Sequence, residues 1–165
     1  VARRFNSFYG PVFPVPDPLL TEVPKLLGLD GRKMSKTYDN AIFISDPPAE
    51  VRRKVSLMFT DPNRIKRSDP GNPDICNVFS FHKVYSSPET VERVNRECRR
   101  AEIGCVEDKR KFAETLGSHL APIQEKRVRY IQNPGLVEEI LEDGGERARR
   151  VAAQTMEEVR AAMKI

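Results

Sequence analysis

The stretch Asp46–Phe59, DPPAEVRRKVSLMF, marks the point at which the sequence becomes helical. Asp46 is suited to the N-cap position, and Pro47 is suited to the first position of a helix. The apolar side chains that follow recur at the spacing of a single helix face: Val51, Val55, Met58 and Phe59. The stretch therefore predicts an amphipathic helix at the start of a mainly helical region.

Helical periodicity continues to the end of the chain. It predicts a helix over 75–85, another capped by Ser87, and a long one after Gly104 that Pro122 kinks or restarts. Asn133-Pro134-Gly135 ends the long helix. A short helix over 136–141 and a last helix after Gly144-Gly145 complete the prediction.

Upstream of Asp46 the pattern is different. Four prolines exclude regular helix there: Pro11, Pro14, Pro16 and Pro18. Residues 25–44 are short apolar runs around a polar loop. We therefore expect a loop-rich, partly β segment over 1–45, too short to close a sheet alone, followed by a helical domain over 46–165.

The composition is that of a globular chain. Its 165 residues are 39% hydrophobic and carry 28 Lys+Arg against 24 Asp+Glu, a formal net charge of +4. This length can bury a core, which excludes a disulfide-stapled miniprotein, and the balance of charges argues against disorder. No apolar run approaches the roughly 18 residues of a membrane span. The odd number of cysteines favours an intracellular chain with free or metal-bound thiols.

Residues Lys33–Thr37, KMSKT, carry the strongest chemical signal. Two ammonium groups and two hydroxyls lie on a loop that Gly31 makes flexible. Ammonium groups attract phosphate oxygens and hydroxyls hydrogen-bond to them, so that charge developing on a leaving phosphate is stabilised. For an isolated K-x-x-K pair, the alternative is a solvated basic turn.

The full string resembles the K-M-S-K-S signature of class I aminoacyl-tRNA synthetases, with Thr37 in place of the last Ser. Segments on both sides resemble bacterial tryptophanyl-tRNA synthetases: Ala2-Arg3-Arg4-Phe5-Asn6 before the signature and Thr60–Pro73, with its Asp-Pro-Gly-Asn-Pro run, after it. Tyrosyl-tRNA synthetase is the nearest relative and shares the signature, but that run looks tryptophanyl. The resemblance covers essentially the whole chain.

This resemblance implies a mostly α chain. A helical anticodon-binding domain over 46–165 would follow, over 1–45, a remnant of a Rossmann-type α/β catalytic domain. The implied reaction activates L-tryptophan with ATP and Mg2+ and transfers it to tRNA(Trp). Lys33 and Lys36 would be catalytic, and the residues that bind ATP would be Lys33, Met34, Ser35, Lys36 and Thr37. A cytoplasmic location, no membrane association and a homodimeric full enzyme are further implications.

The family's second ATP motif, H-I-G-H, has no counterpart in the sequence. His82 and His119 are isolated, and neither precedes a glycine, so we expect both to be packing or surface residues. The chain therefore resembles the C-terminal half of such an enzyme. Since half a site positions neither reactant, we expect it not to form tryptophanyl-adenylate alone.

The cysteines resemble a second feature of the family. Cys76, Cys98 and Cys105 approach the spacing of an iron–sulfur site found in some tryptophanyl-tRNA synthetases, with Asp108 in place of a fourth Cys. Four thiolates are the usual ligands of such a cluster, and an Asp oxygen is a harder ligand. The alternatives are a labile cluster and a vestigial site whose thiols pack as small apolar groups.

Basic clusters in the helical part suggest contacts with RNA. Cations neutralise phosphates, and unpaired bases are read by stacking or hydrogen bonding. A solvated helix face is the alternative for any one cluster. With the resemblance, the residues predicted to bind tRNA are Arg64, Lys66, Arg67, Asp69, Lys109 and Lys111.

Two classes of function stay open at this point. The first is a part of a tryptophan–tRNA ligase. The second is a non-catalytic RNA-binding module derived from a synthetase, and a tyrosyl-tRNA synthetase relative is a further alternative. The intact KMSKT string favours the enzyme, because nothing in anticodon recognition needs it.

Overall fold

The computed structural model describes residues 1–21 and 25–165. The α-helices of these ranges are α1 (Ala2–Tyr9), α2 (Pro48–Ser56), α3 (Asn77–Tyr85), α4 (Pro88–Arg99), α5 (Cys105–Gln132) and α6 (Pro134–Met163). Short 3-10 turns cover Lys36–Tyr38 and Pro73–Ile75. The predicted mostly α class is confirmed.

The expectation of β structure before Asp46 is wrong for the described residues. They contain no strand and only one isolated antiparallel bridge, between Leu27 and Lys33. A single short extended run gains no stability without neighbouring strands to share its backbone hydrogen bonds. The segment is instead held by side-chain hydrogen bonds, which also shape the candidate site.

The chain divides into two compact units. One unit comprises Leu20–Arg127, and the other comprises Val1–Leu19 together with Val128–Ile165. These bounds differ from the predicted limits 1–45 and 46–165, which stay a prediction about domain organisation. The larger unit holds a buried apolar core built from α2, α3, α4 and α5: Val51, Val55, Met58, Cys76, Val78, Phe79, Phe81, Val94, Phe112, Ala113, Leu116 and Leu120.

Helix α2 follows the predicted pattern, but Asp46 does not cap it. The Asp46 carboxylate accepts hydrogen bonds from the Phe43 backbone N–H at 2.8 Å and from Lys54 Nζ at 2.7 Å. Pro47 takes the N-cap position instead. Helix α2 buries Val51 and Val55. The other two predicted apolar side chains lie beyond its end at Ser56: Met58 is buried and Phe59 is 38% exposed.

The helices after the Asp61–Pro73 loop begin close to where the sequence predicts. Ser87 caps α4 as predicted, with its Oγ accepting from the Thr90 backbone N–H at 3.3 Å. Helix α3 packs against α4. Helix α5 starts directly after Gly104 and buries Phe112 against α3, with ring centroids 6.0 Å from Phe81.

Two predicted breaks in the helical structure are absent from the described residues. Helix α5 continues through Pro122 and does not restart there, although the proline removes one backbone donor. The kink expected at Pro122 stays a prediction. Just beyond Pro122, Gln124 Nε2 donates to the Asp46 carbonyl at 2.9 Å. The predicted separate helices around Gly144-Gly145 are a single helix, α6. Glycine weakens a helix without removing a hydrogen bond, and the Asp143–Arg147 ion pair of 2.9 Å spans the pair.

The smaller unit has its own local anchors. Helix α1 ends at Gly10, whose φ of 96° lies in the region that favours glycine. The Asn6 side chain holds the following turn, with Nδ2 donating to the Phe13 carbonyl at 2.6 Å and Oδ1 accepting from the Phe13 N–H at 2.9 Å. In the described parts of the chain, no helix is long and apolar enough to cross a membrane.

Candidate functional site

The base of the KMSKT loop is closed by one buried side chain, Asn40. Its Nδ2 donates to Asp30 Oδ1 at 2.8 Å and to the Lys33 carbonyl at 3.2 Å, and its Oδ1 accepts from the Ser35 N–H at 2.8 Å. Gly28 lies directly against the Asn40 amide, so that any Cβ at this position would overlap it. These hydrogen bonds of Asn40 form a polar clasp that holds the two ends of the loop together.

The same base is joined to the helical core. The Gly28 carbonyl accepts from Asn77 Nδ2 at 2.8 Å, and the Leu29 carbonyl accepts from the Phe59 N–H at 2.6 Å. The Met34 side chain packs against the core from within the loop. The loop is thus held by Asn77 of α3, by Phe59 in the segment after α2 and by the apolar side chain of Met34.

Asp30 and Arg32 form a second brace. The hydrogen bond from Asn40, followed by that from the Arg32 backbone, lowers the pKa of Asp30 to about 2. The Arg32 guanidinium pairs with the Asp30 carboxylate at 2.6 Å and lies over the Tyr38 ring, 4.9 Å from its centroid. These interactions occupy Arg32 and leave the lysines of the loop as its free cations.

Lys33 and Lys36 are both exposed. Among the described residues, no carboxylate lies within salt-bridge distance of either ammonium group. The Ser35 Oγ accepts from the Thr37 N–H at 3.2 Å and so starts the 3-10 turn that carries Lys36. The arrangement presents two unpaired positive charges on a supported loop, as phosphate binding requires.

The Asp61–Pro73 loop carries the second group of predicted residues, and Arg64 faces inward. Its Nη2 donates to the Ile103 carbonyl at 2.7 Å and to the Arg67 carbonyl at 2.8 Å. Its Nη1 lies 3.9 Å from Cys98 Sγ and 3.8 Å from Cys105 Sγ. Arg64 therefore holds the loop through backbone contacts, and its predicted contact with tRNA stays a prediction.

The other predicted tRNA contacts differ in availability. The Asp69 carboxylate accepts from the Lys66 N–H at 2.7 Å, and Lys111 pairs with Glu107 at 2.8 Å. Lys109 is half-buried: it donates to the Ser56 carbonyl at 3.0 Å, and burial lowers its pKa. Lys66 and Arg67 keep exposed charges with no described acid within salt-bridge distance.

The cysteine group does not fit an iron–sulfur cluster. Burial raises the pKa of Cys76 to about 11 and also raises that of Cys98, so both favour the protonated thiol rather than the thiolate ligand. Asp108, in the place of a fourth Cys, faces His82, with 3.3 Å between Oδ1 and Nε2. Within the described ranges, no His, Cys, Asp or Glu side chains are grouped to hold a metal ion.

Both histidines have structural partners. His82 is buried, with Nδ1 at 2.7 Å from Ser86 Oγ and its ring against Phe112. The His119 Nε2 lies 2.7 Å from the Tyr85 carbonyl. The expectation that they pack or lie at the surface agrees with these positions.

Comparison with known proteins places this geometry in a family. The family model described as tRNA synthetases class I (W and Y) matches residues 1–121. The tryptophan–tRNA ligase of Aquifex aeolicus is 48% identical over all of this chain and 42% of its own length, and that of Thermotoga maritima is 44% identical over all of this chain and 51% of its own. The chain thus spans about half the length of these curated relatives.

Solved structures agree with the fold. A tryptophanyl-tRNA synthetase of Campylobacter jejuni, complexed with ADP and tryptophan, matches with a TM-score of 0.75 at 24% identity, covering 99% of this chain and 51% of that one. The enzyme of Aeropyrum pernix matches with a TM-score of 0.54 at 33% identity, over 59% of this chain and 28% of its own. With the family model covering most of its length, this chain belongs to the class I tRNA synthetases of the W and Y family.

Proposed function

We propose that this chain supplies the ATP-phosphate loop and the anticodon-arm-binding helices of a cytoplasmic tryptophan–tRNA ligase. The observation that carries the proposal is the KMSKT loop, in which Lys33 and Lys36 stay unpaired above a clasp centred on Asn40. The relatives at 48% and 44% identity support the choice of tryptophan over tyrosine.

The loop would act on the leaving group of amino-acid activation. A carboxylate oxygen of tryptophan forms a bond to the α-phosphorus of ATP, and the bond from that phosphorus to the bridging oxygen of the β-phosphate breaks. The products are tryptophanyl-adenylate and pyrophosphate, and the tRNA then takes the tryptophanyl group. Lys33 and Lys36 would stabilise the charge that develops on pyrophosphate, while Ser35 and Thr37 support the turn that carries Lys36.

Among the described residues, no three His, Cys, Asp or Glu side chains are grouped to hold a metal ion. Asp30, three residues before Lys33, is occupied by Asn40 and Arg32. In this proposal Mg2+ arrives bound to the ATP phosphates. An iron–sulfur cluster has no part in it, because the Cys76 and Cys98 thiols favour the protonated form and Asp108 faces His82.

Pyrophosphate binding tests the loop. We expect calorimetric titration of this chain with pyrophosphate to show binding that Lys33→Ala or Lys36→Ala weakens at least fivefold. Lys83→Ala is the matched control, since Lys83 is an exposed lysine of α3 outside the loop. Equal affinity in all four proteins would remove the loop from phosphate binding and leave the non-catalytic RNA-binding module as the better reading.

Two further measurements test the remaining claims. We expect exchange of labelled pyrophosphate into ATP to stay at background with this chain alone, because it provides no counterpart of the H-I-G-H motif. We also expect it to bind an anticodon hairpin of tRNA(Trp) more tightly than one of tRNA(Tyr). The opposite preference would assign the chain to the tyrosyl branch.

A further inference from the structure

Two clefts lie side by side at the start of α5. The first, of about 490 Å³, is lined by Arg64–Arg67 on one side and by Gly104–Glu107 on the other. The second, of about 270 Å³, lies between α2 and α5 and is lined in part by Arg52. Both clefts share two lining residues, Val106 and Arg110.

Val106 separates the clefts as an exposed apolar side chain. It is 84% exposed, and Ile65 across the first cleft is 87% exposed. Neither contributes to the buried core. An exposed apolar pair within a ring of cations indicates a partner that brings both apolar surface and negative charge.

The charge around Val106 is almost entirely positive. Arg52, Lys66, Arg67 and Arg110 are exposed, and no described acid lies within salt-bridge distance of them. Glu107, the acid among the lining residues, is paired with Lys111, and that hydrogen bond lowers the pKa of Glu107. Its charge is therefore already neutralised by a partner outside the clefts.

Single-stranded RNA has the chemistry that these clefts match. Its phosphates meet the cations, and its unpaired bases present flat apolar faces. A duplex hides those faces, and a simple polyanion lacks them. Charge complementarity together with the apolar divider selects unpaired nucleotides as the occupant.

We propose that Val106 divides two consecutive unpaired nucleotides of a bound RNA, with one base in each cleft and Arg110 at the phosphate between them. The proposal rests on the anticodon-arm binding proposed above and adds Arg52 and Arg110 to Lys66 and Arg67 as RNA contacts. The Arg64 guanidinium holds the wall of the first cleft in place.

The salt dependence of RNA binding distinguishes the apolar contribution of Val106 from the contribution of the cations. Fluorescence anisotropy would measure the affinity of this chain for the tRNA(Trp) anticodon hairpin and for a fully paired duplex at several salt concentrations. We expect Val106→Ala to weaken hairpin binding roughly fivefold to tenfold with an unchanged salt slope, because it removes apolar contact and no charge. Duplex affinity should not change.

The arginine variants, unlike Val106→Ala, should change the salt dependence of RNA binding. We expect Arg110→Gln and Arg52→Gln each to reduce the slope of log affinity against log salt by about 0.7, as for one lost phosphate contact on a single strand. Matched controls are Val84→Ala and Arg96→Gln, exposed residues of α3 and α4 that line neither cleft. Neither control should change affinity or slope.

The outcomes distinguish this inference from the function on which it rests. If the hairpin fails to bind the unsubstituted chain, both fail. If the hairpin binds and Val106→Ala binds it equally well, the divider is wrong while the proposed function stands. Inorganic polyphosphate is the last probe: its affinity should not depend on Val106, and a matching loss there would show that the variant disturbs charge rather than base contact.

Discussion

Replacing Asn40 by alanine should release the KMSKT loop. The substitution removes three hydrogen bonds, those to Asp30 Oδ1, to the Lys33 carbonyl and from the Ser35 N–H. Each such bond contributes about 1 kcal/mol net. Because water reaches part of this loop, we expect a loss of about 2–3 kcal/mol in the free energy of local opening, or a roughly 30- to 150-fold larger open population.

Limited trypsin digestion measures that population directly. Lys33 and Lys36 are cleavage sites inside the loop, and when the loop recloses faster than it is cut, the cleavage rate follows the open fraction. Cleavage after Arg99, at the end of α4, serves as the internal control and should not change.

Asn40→Asp sharpens the test. It keeps an acceptor for the Ser35 N–H but places a carboxylate where the amide nitrogen now meets Asp30 Oδ1 at 2.8 Å. At neutral pH we expect it to open the loop at least as much as Asn40→Ala, because like charges then repel. Cleavage within threefold of the unsubstituted rate in both variants would show that the clasp does not hold the loop.

Three further predictions concern the same region. Gly28→Ala should reproduce the loop opening of Asn40→Ala by displacing that amide, and in trypsin digestion the double variant should open little more than either single one. Lys54→Met should lower the free energy of unfolding by about 3–5 kcal/mol, measured in urea, because it leaves the buried Asp46 carboxylate without its partner at 2.7 Å, and adding Asp46→Asn should recover part of that loss. The pKa of Asp30 lies at about 2, below its ordinary 3.8, so its contribution to loop closure is fully present above pH 4 and lost as the pH falls through about 2; protection of the Ser35 amide from hydrogen exchange, corrected for intrinsic rates, should follow that range.

The sequence predicts the helices well where apolar periodicity is strong. Val51, Val55 and Met58 are buried as their spacing indicates, and Ser87 caps α4. Interruptions are predicted less well, because a proline or glycine changes the local free energy by an amount that the rest of a long helix can outweigh. The continuous helix at Pro122 is an example.

For the candidate site, prediction from the sequence is limited in a different way. Residue type and spacing identify Lys33 and Lys36, since their chemistry is local to one string. Asn40 lies three residues after that string. Its role depends on the positions of Asp30 and Gly28 in the folded chain, and no local pattern contains that information. Arg110 lies between two other cations in the sequence, Lys109 and Lys111. Only its place in the two clefts that it lines together with Val106 distinguishes it from Lys111, which pairs with Glu107.

The two candidate binding surfaces share a physical design. In each, one inward-facing polar side chain hydrogen-bonds to two backbone groups of its loop region, and neighbouring cations stay unpaired. Asn40 has this position beside Lys33, and Arg64 has it beside Lys66 and Arg67. A loop fixed in advance loses less conformational entropy when an anion binds, so each free charge contributes more to affinity. It follows that Arg64→Lys should weaken RNA binding by loosening the loop that carries Lys66. The substitution conserves charge, but lysine has no second terminal nitrogen to replace Nη1 beside Cys98 and Cys105 while the first contacts the two carbonyls. A salt slope that stays unchanged while affinity falls would identify that loss as positional rather than electrostatic.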